Sequence, residues 1–77
     1  MQQKLAELMS ELFGVEKGEI KDGLSMKDME VWDSLKHMEL IVSIEQRFGI
    51  ELTFDEIVAM QTLKEIKRIL REKGVPD

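Results

Sequence analysis

The stretch WDSLKHMELI, residues 32–41, decides the fold, because a polar pair here opens the most strongly apolar helical segment of the 77-residue chain. Two other predicted helices begin with a Thr-x-x-Glu capping box, at Thr53–Glu56 and at Thr62–Glu65. Neither Asp33 nor Ser34 has a Glu or Gln three residues later, so neither starts a box. Asp33 can cap the helix by itself. The Ser34 hydroxyl is then uncommitted at a helix N-terminus, where unpaired N–H groups and the macrodipole favour a negative charge such as a phosphate ester.

Apolar periodicity predicts four helices in all. Glycine follows three of them at the position of a left-handed stop. The predicted fold is therefore all-α: a small four-helix bundle with three main helices, one short third helix and a long loop between the first and second. It forms a single domain over residues 1–77. The helical stripes cover residues 5–13 before Gly14, 34–48 before Gly49, 54–60, and 63–70 before Gly74 and Pro76.

The loop of residues 14–33 is long for a compact domain, and such loops are commonly functional or held down. Asp22-Gly23 with Asp28 and Glu30 suggests a calcium loop, but the Asp-x-Asp-x-Asp-Gly spacing is missing. A solvated loop is therefore favoured, and no metal site is predicted. Five apolar side chains are predicted to hold the loop over the core: Val15, Ile20, Leu24, Met29 and Val31.

Length and composition favour a module that works with larger partners. A chain this short buries only about 60% of its unfolded surface, so its core is thin and a deep active site is not expected. It has no cysteine, so any thioester it carries must use a thiol from a cofactor. The formal net charge of −5 argues against nucleic acid and favours protein partners with basic patches. We see neither a signal peptide nor an apolar run of membrane-spanning length, so a cytoplasmic monomer without membrane insertion is expected.

The second helix carries two apolar stripes, although one is enough to bury it. One stripe lies within residues 40–48 and faces the core. The other, Leu35, Met38 and Val42, is rotated toward the opposite side and begins one residue after Ser34. Packing of this second stripe against the long loop is one interpretation. As a group beside Ser34, the three side chains fit an exposed docking surface better.

His37 is the only histidine of the chain and lies one helical turn after Ser34. With Asp33 it invites comparison with a hydrolase triad, but no oxyanion hole or substrate pocket accompanies the three residues. A structural histidine, bonded to nearby backbone or loop, is the favoured interpretation. The alternative is a local positive charge near a phosphate on Ser34, with Lys36 beside it.

A set of spaced motifs resembles the acyl carrier protein family over essentially the whole chain. In that family the serine of Asp-Ser-Leu carries a 4′-phosphopantetheine arm. Val31-Trp32 before this tripeptide and Lys36 after it depart from the common pattern and look more like the specialised stand-alone carriers. The matching motifs are Asp33-Ser34-Leu35, Glu39-Leu40-Ile41, Ile44-Glu45, Phe48-Gly49-Ile50 and Thr62-Leu63.

The resemblance implies a carrier and not an enzyme. A phosphopantetheinyl transferase would attach 4′-phosphopantetheine from coenzyme A to Ser34, and Asp33 would orient the helix start and help the transferase recognise it. Acyl groups would travel on the arm as thioesters between loading and transferring enzymes of fatty acid, polyketide or related lipid biosynthesis. These enzymes would dock through basic patches on Leu35, Met38, Glu39, Val42, Asp55 and Glu56. The acyl chain would enter between the second and third helices at Met38, Val42, Ile57 and Met60.

Two other functions stay open at this point. An aminoacyl or peptidyl carrier would use the same attachment at Ser34, although such modules tend to be less acidic. An unmodified helical adaptor would bind a basic partner through the second helix, and its function would not depend on Ser34.

Overall fold

Four α-helices build the fold of residues 2–75, the part of the chain that the computed structural model describes. Two short 3₁₀ turns, Lys17–Glu19 and Met26–Asp28, lie in the connection between the first two helices. The predicted all-α architecture, with a short third helix, is confirmed. The helices are α1 (Gln2–Phe13), α2 (Ser34–Phe48), α3 (Phe54–Ala59) and α4 (Leu63–Glu72).

The ends of α2 lie where the sequence predicted them. The Asp33 carboxylate accepts a hydrogen bond from the Lys36 backbone N–H at 2.9 Å, so Asp33 caps the helix alone. Gly49 ends the helix with a φ of +64°, a conformation that residues with a Cβ adopt only at a cost. Gly14 ends α1 in the same way. The predicted stop after α4 is only partly visible, since Pro76 lies outside the described residues.

One of the two predicted capping boxes is complete and the other is not. At α3, the Thr53 hydroxyl accepts from the Glu56 N–H, and the Glu56 carboxylate accepts from the Thr53 N–H. At α4, the Thr62 hydroxyl accepts from the Glu65 N–H, but the Glu65 carboxylate takes two hydrogen bonds from the Arg68 guanidinium, at 2.7 and 3.2 Å. The prediction of a reciprocal box at α4 was therefore wrong, because a cation one turn along the helix competes for the carboxylate.

The core is formed by α1, α2 and α4, because α3 contributes no fully buried side chain. The stripe of α2 that was predicted to face the core does so, and the stripe of α4 is buried along its length. Most of the buried apolar side chains come from these three helices, with one from the loop and two from the segments after α3 and α4. They are Leu5, Leu8, Met9, Phe13, Trp32, Leu40, Ile41, Ile44, Met60, Leu63, Ile66, Ile69, Leu70 and Val75.

The long loop is held down at several points. Ser25 and Thr62 form an antiparallel bridge that ties the loop to the start of α4, and the Lys67 ammonium contacts the Asp22 carboxylate at 2.6 Å. This contact lowers the pKa of Asp22, chiefly through the hydrogen bond from Lys67. Four of the five predicted apolar contacts are confirmed as partly buried against the core: Val15, Ile20, Leu24 and Met29.

Val31 does not hold the loop, contrary to the prediction. Its side chain is 46% exposed, whereas the neighbouring Trp32 is fully buried and its ring lies 5.4 Å from the ring of Phe13. Neighbouring side chains in this segment point to different sides, and the larger indole removes more apolar surface from water. Trp32 therefore takes the core position, directly before the cap of α2.

Candidate functional site

Ser34 is the first residue of α2 and is exposed. Within the described part of the chain its hydroxyl has no hydrogen-bond partner. The hydroxyls of two other serines are committed, since Ser10 donates to the Val15 carbonyl and Ser25 donates to the Asp28 carboxylate. Ser34 thus combines an unpaired hydroxyl, exposure and a helix N-terminus.

The electrostatic surroundings of Ser34 suit a negatively charged substituent. The N–H groups of the first helical turn have no partner within the helix, and the macrodipole places partial positive charge at this end. No acidic side chain lies in the first turn of α2. Lys36 lies there, and its ammonium contacts the Glu39 carboxylate at 3.2 Å. A phosphate ester on Ser34 would therefore meet N–H groups and a nearby cation.

His37 is buried and uses both ring nitrogens. Its Nε2–H donates to the Ile57 carbonyl at 2.8 Å, and its Nδ1 accepts from the Trp32 indole N–H at 3.0 Å. The interpretation of His37 as a structural residue bonded to backbone and loop is confirmed. The ring does not engage Ser34, and the Asp33 carboxylate faces the Lys36 N–H. The three polar residues therefore do not form a hydrolase triad.

The second stripe of α2 is exposed, as predicted. Leu35, Met38 and Val42 are 70%, 50% and 48% exposed, so the alternative that they pack against the loop is wrong. Together with Leu12 of α1 they border a shallow depression of about 440 Å³ between α1 and α2. Leu12 belongs to the apolar stripe predicted for α1 and is partly buried against the core, so it lies at the edge of that stripe.

A second cleft lies on the other side of α2, between α2 and α3. It has a volume of about 270 Å³ and reaches Ser34. Sequence reasoning missed two of its walls, Phe54, which is 77% exposed, and Val58. Phe54 and Val58 lie four residues apart and therefore share one face of α3, which could have indicated that they line the same surface. With Met38 and Ile57 they give this cleft a mainly apolar lining.

The four residues predicted to form one acyl-chain mouth lie in different places. Met38 and Ile57 line the cleft between α2 and α3. Val42 borders the depression on the α1 side, and Met60 is fully buried in the core. Neither of these two clefts is lined by all four side chains.

The two carboxylates of α3 that were predicted to meet partner enzymes differ in the contacts they already make within this protein. Asp55 is exposed in the first turn of α3. The Glu56 carboxylate, in contrast, accepts from the Thr53 N–H and contacts the Lys73 ammonium at 2.9 Å. These two interactions, the Thr53 bond first, lower the pKa of Glu56. Asp55 is the freer of the two carboxylates.

Comparisons with known proteins give one consistent result. A family model described as the phosphopantetheine attachment site matches residues 3–70. The acyl carrier protein of Lactobacillus johnsonii is 31% identical over 62 residues, which cover 80% of this chain and 78% of that protein. The acyl carrier protein of Rubrobacter xylanophilus is 32% identical over 63 residues, 82% of this chain and 78% of that protein. The acyl carrier protein of Acidothermus cellulolyticus is 30% identical over 59 residues, 77% of this chain and 70% of that protein.

Residues 2–75 contain no group of three or more His, Cys, Asp or Glu side chains that could hold a metal ion. None of the helices in this range is long and apolar enough to cross a membrane.

Proposed function

The chain belongs to the acyl carrier protein family and contains its phosphopantetheine attachment domain, and from this premise we propose that it carries acyl groups as thioesters on a 4′-phosphopantetheine arm attached to Ser34. Partner enzymes of fatty acid, polyketide or related lipid biosynthesis would load and remove the acyl groups. The observation that supports this assignment best is the unpaired, exposed Ser34 hydroxyl at the start of α2. Members of this family are carriers and not catalysts.

The residues around Ser34 fit a phosphodiester. In the attachment step, a transferase would move phosphopantetheine from coenzyme A to Ser34. Ser34 Oγ would bond to phosphorus and give up its proton to a base of the transferase, while the diphosphate P–O bond breaks and its electron pair leaves with adenosine bisphosphate. The N-terminal N–H groups of α2 would hold the phosphate oxygens. When bound, the arm supplies the thiol that this cysteine-free chain lacks.

Asp33 has two roles in this proposal. Its carboxylate caps α2 through the Lys36 N–H and so holds the helix start in place. It also presents a negative charge directly before Ser34, which we expect the transferase and its metal ion to recognise. The second role depends on the charge, whereas the first depends only on a side-chain acceptor.

Partner enzymes would dock on the exposed apolar stripe of α2 and on nearby carboxylates. Leu35, Met38 and Val42 offer apolar contacts beside the attachment point. The net charge of −5 favours partners with basic patches. Of the carboxylates proposed to meet these patches, Glu39 contacts Lys36, Glu56 contacts Lys73, and Asp55 is exposed.

Intact mass spectrometry tests the attachment. The protein is incubated with coenzyme A and a promiscuous phosphopantetheinyl transferase, beside Ser34→Ala and the matched control Ser43→Ala on the same helix. We expect a gain of one phosphopantetheine unit in the wild type and in Ser43→Ala, and none in Ser34→Ala. No gain in the wild type with several transferases would contradict the proposal and favour an unmodified helical adaptor. Loading assays that compare amino acids with acyl groups then separate an aminoacyl carrier from an acyl carrier.

A further inference from the structure

We propose that a hydrogen-bonded bridge through the buried His37 ring closes the interface between α2 and α3, so that this carrier holds short acyl groups outside the helical bundle. The bridge consists of the Trp32 indole N–H, the His37 ring and the Ile57 carbonyl. The inference rests on the proposed attachment at Ser34. The expected cargo is an acyl group of a few carbons that lies in the surface cleft and does not enter the core.

The bridge joins α2 to α3 in the same cleft that Ser34 lines. His37 lies one turn after Ser34 on α2, and its Nε2–H reaches the Ile57 carbonyl of α3 at 2.8 Å. On its other side, Nδ1 accepts from the buried Trp32 indole N–H at 3.0 Å. An alkyl chain that entered between α2 and α3 at this level would have to separate His37 from Ile57.

Separating these groups is unfavourable, because a hydrocarbon chain offers no replacement hydrogen bonds. The His37 N–H and the Ile57 carbonyl would lose their mutual, partly buried hydrogen bond. The gain that opposes this cost is the apolar area that the chain removes from water, and it grows with each methylene group. For a chain of a few carbons this gain is too small, and a longer chain must in addition displace packed core side chains, which opposes its larger gain.

The core behind the bridge is already filled. Leu40, Ile44, Met60 and Ile66 are fully buried members of the single core cluster. A chain that passed the bridge would have to displace these side chains, and over-filling a packed core is destabilising. Two residues of the predicted acyl-chain pocket also favour exclusion of the chain from the core. Met60 is itself a buried core residue, and Val42 borders the depression on the α1 side.

The cleft between α2 and α3 offers the cargo a shallow apolar surface instead. It has a volume of about 270 Å³, slightly below the range of about 300–1,000 Å³ that is typical of small-molecule pockets. Phe54 and Val58 form its outer wall and are exposed. Such a surface fits an acyl group of a few carbons beside Ser34.

The test installs acyl-phosphopantetheine directly from butyryl- or dodecanoyl-coenzyme A with a promiscuous transferase and measures thioester cleavage by hydroxylamine. We expect the two chain lengths to react at rates within about threefold, which corresponds to about 0.65 kcal/mol. The single tryptophan gives one indole N–H resonance, and we expect its chemical shift to be the same with both chains. Stronger protection of the dodecanoyl thioester, or a shift of the Trp32 indole resonance with the longer chain, would overturn the inference.

His37→Ala removes the bridge and tests its role. We expect this variant to protect the dodecanoyl thioester by more than about threefold but not the butyryl one, whereas the surface control Gln46→Ala behaves as the wild type. Equal rates in a folded His37→Ala would show that the bridge does not exclude the chain. If that variant does not fold, the wild-type cleavage rates and the Trp32 indole resonance still test whether the longer chain enters between α2 and α3. Failure of the attachment itself is recognised separately, because the intact mass then shows no acyl-phosphopantetheine.

Discussion

Replacing Trp32 with phenylalanine should destabilise the protein substantially. The phenyl ring keeps an aromatic contact with Phe13, whose ring lies 5.4 Å from the indole. It removes the N–H that donates to His37 at 3.0 Å, and so leaves a buried acceptor without a partner. An unsatisfied buried group costs about 1–3 kcal/mol, and the smaller ring leaves additional unfilled volume. We expect a loss of about 2–3 kcal/mol in the free energy of unfolding.

This loss is a large part of the stability expected for a chain of this size, which is about 4–12 kcal/mol. It should lower the melting temperature by about 10–20 °C. Urea unfolding followed by far-ultraviolet circular dichroism measures the change, since the variant has no tryptophan fluorescence. Val31→Ala is the matched control, because Val31 precedes Trp32 and is exposed. It should stay within about 0.5 kcal/mol of the wild type.

A double-mutant cycle shows whether the hydrogen bond is responsible. Trp32→Phe and His37→Ala each break the same bond, so the double variant should be more stable than the sum of the two losses predicts. The coupling free energy should lie within about 0.5–3 kcal/mol. Additive losses, or a Trp32→Phe variant within about 0.5 kcal/mol of the wild type, would refute the view that the bridge stabilises the fold.

Three further predictions concern helix ends and acid stability. Asp33→Ala should cost about 1 kcal/mol in unfolding free energy because it removes the cap of α2, whereas Asp33→Asn should keep the cap. If the transferase recognises the Asp33 charge, it should modify the Asp33→Asn variant more slowly than the wild type. Modification of Asp33→Asn at the wild-type rate would contradict that recognition. Gly49→Ala should cost about 1 kcal/mol by the same measurement, because Gly49 has a φ of +64°; an unchanged urea midpoint would contradict that reasoning. The pKa of Glu56 is lowered mainly by the hydrogen bond from the Thr53 N–H and, to a smaller extent, by Lys73. The ionised carboxylate therefore stabilises the fold at pH values above its ordinary pKa of 4.5. This contribution is lost as the pH falls through the lower pKa of the folded state. Glu56→Gln should therefore lose less stability than the wild type between pH 7 and pH 3, as urea midpoints at the two pH values would show; equal losses would exclude this role for Glu56.

Local signals in the sequence were sufficient for most of the helix boundaries. Asp33 and Gly49 delimit α2 through short-range chemistry, a side-chain acceptor at one end and a left-handed residue at the other. Helical spacing also separated the core stripe of α2 from the exposed group of Leu35, Met38 and Val42, because one stripe suffices to bury a helix in a thin bundle.

The remaining features depend on contacts that spacing does not encode. Trp32 is buried in place of Val31 because of its contacts with Phe13 and His37. The partner of His37 on α3, the Ile57 carbonyl, lies 20 residues along the chain. Glu65 had two possible partners at short range, and only the folded side-chain conformations show that Arg68 takes its carboxylate. In each case the sequence contains the groups that interact, but tertiary packing determines which side chain is buried and which groups pair.

The measurement that tests the account most directly is the location of the modification by peptide mass spectrometry. Trypsin cleaves after Lys27 and Lys36, and the peptide between them, residues 28–36, contains Ser34 as its only hydroxyl side chain. After treatment with coenzyme A and a transferase, we predict that this peptide alone gains one phosphopantetheine unit. A gain on any other peptide, or on none, would contradict the assignment of Ser34 as the attachment site.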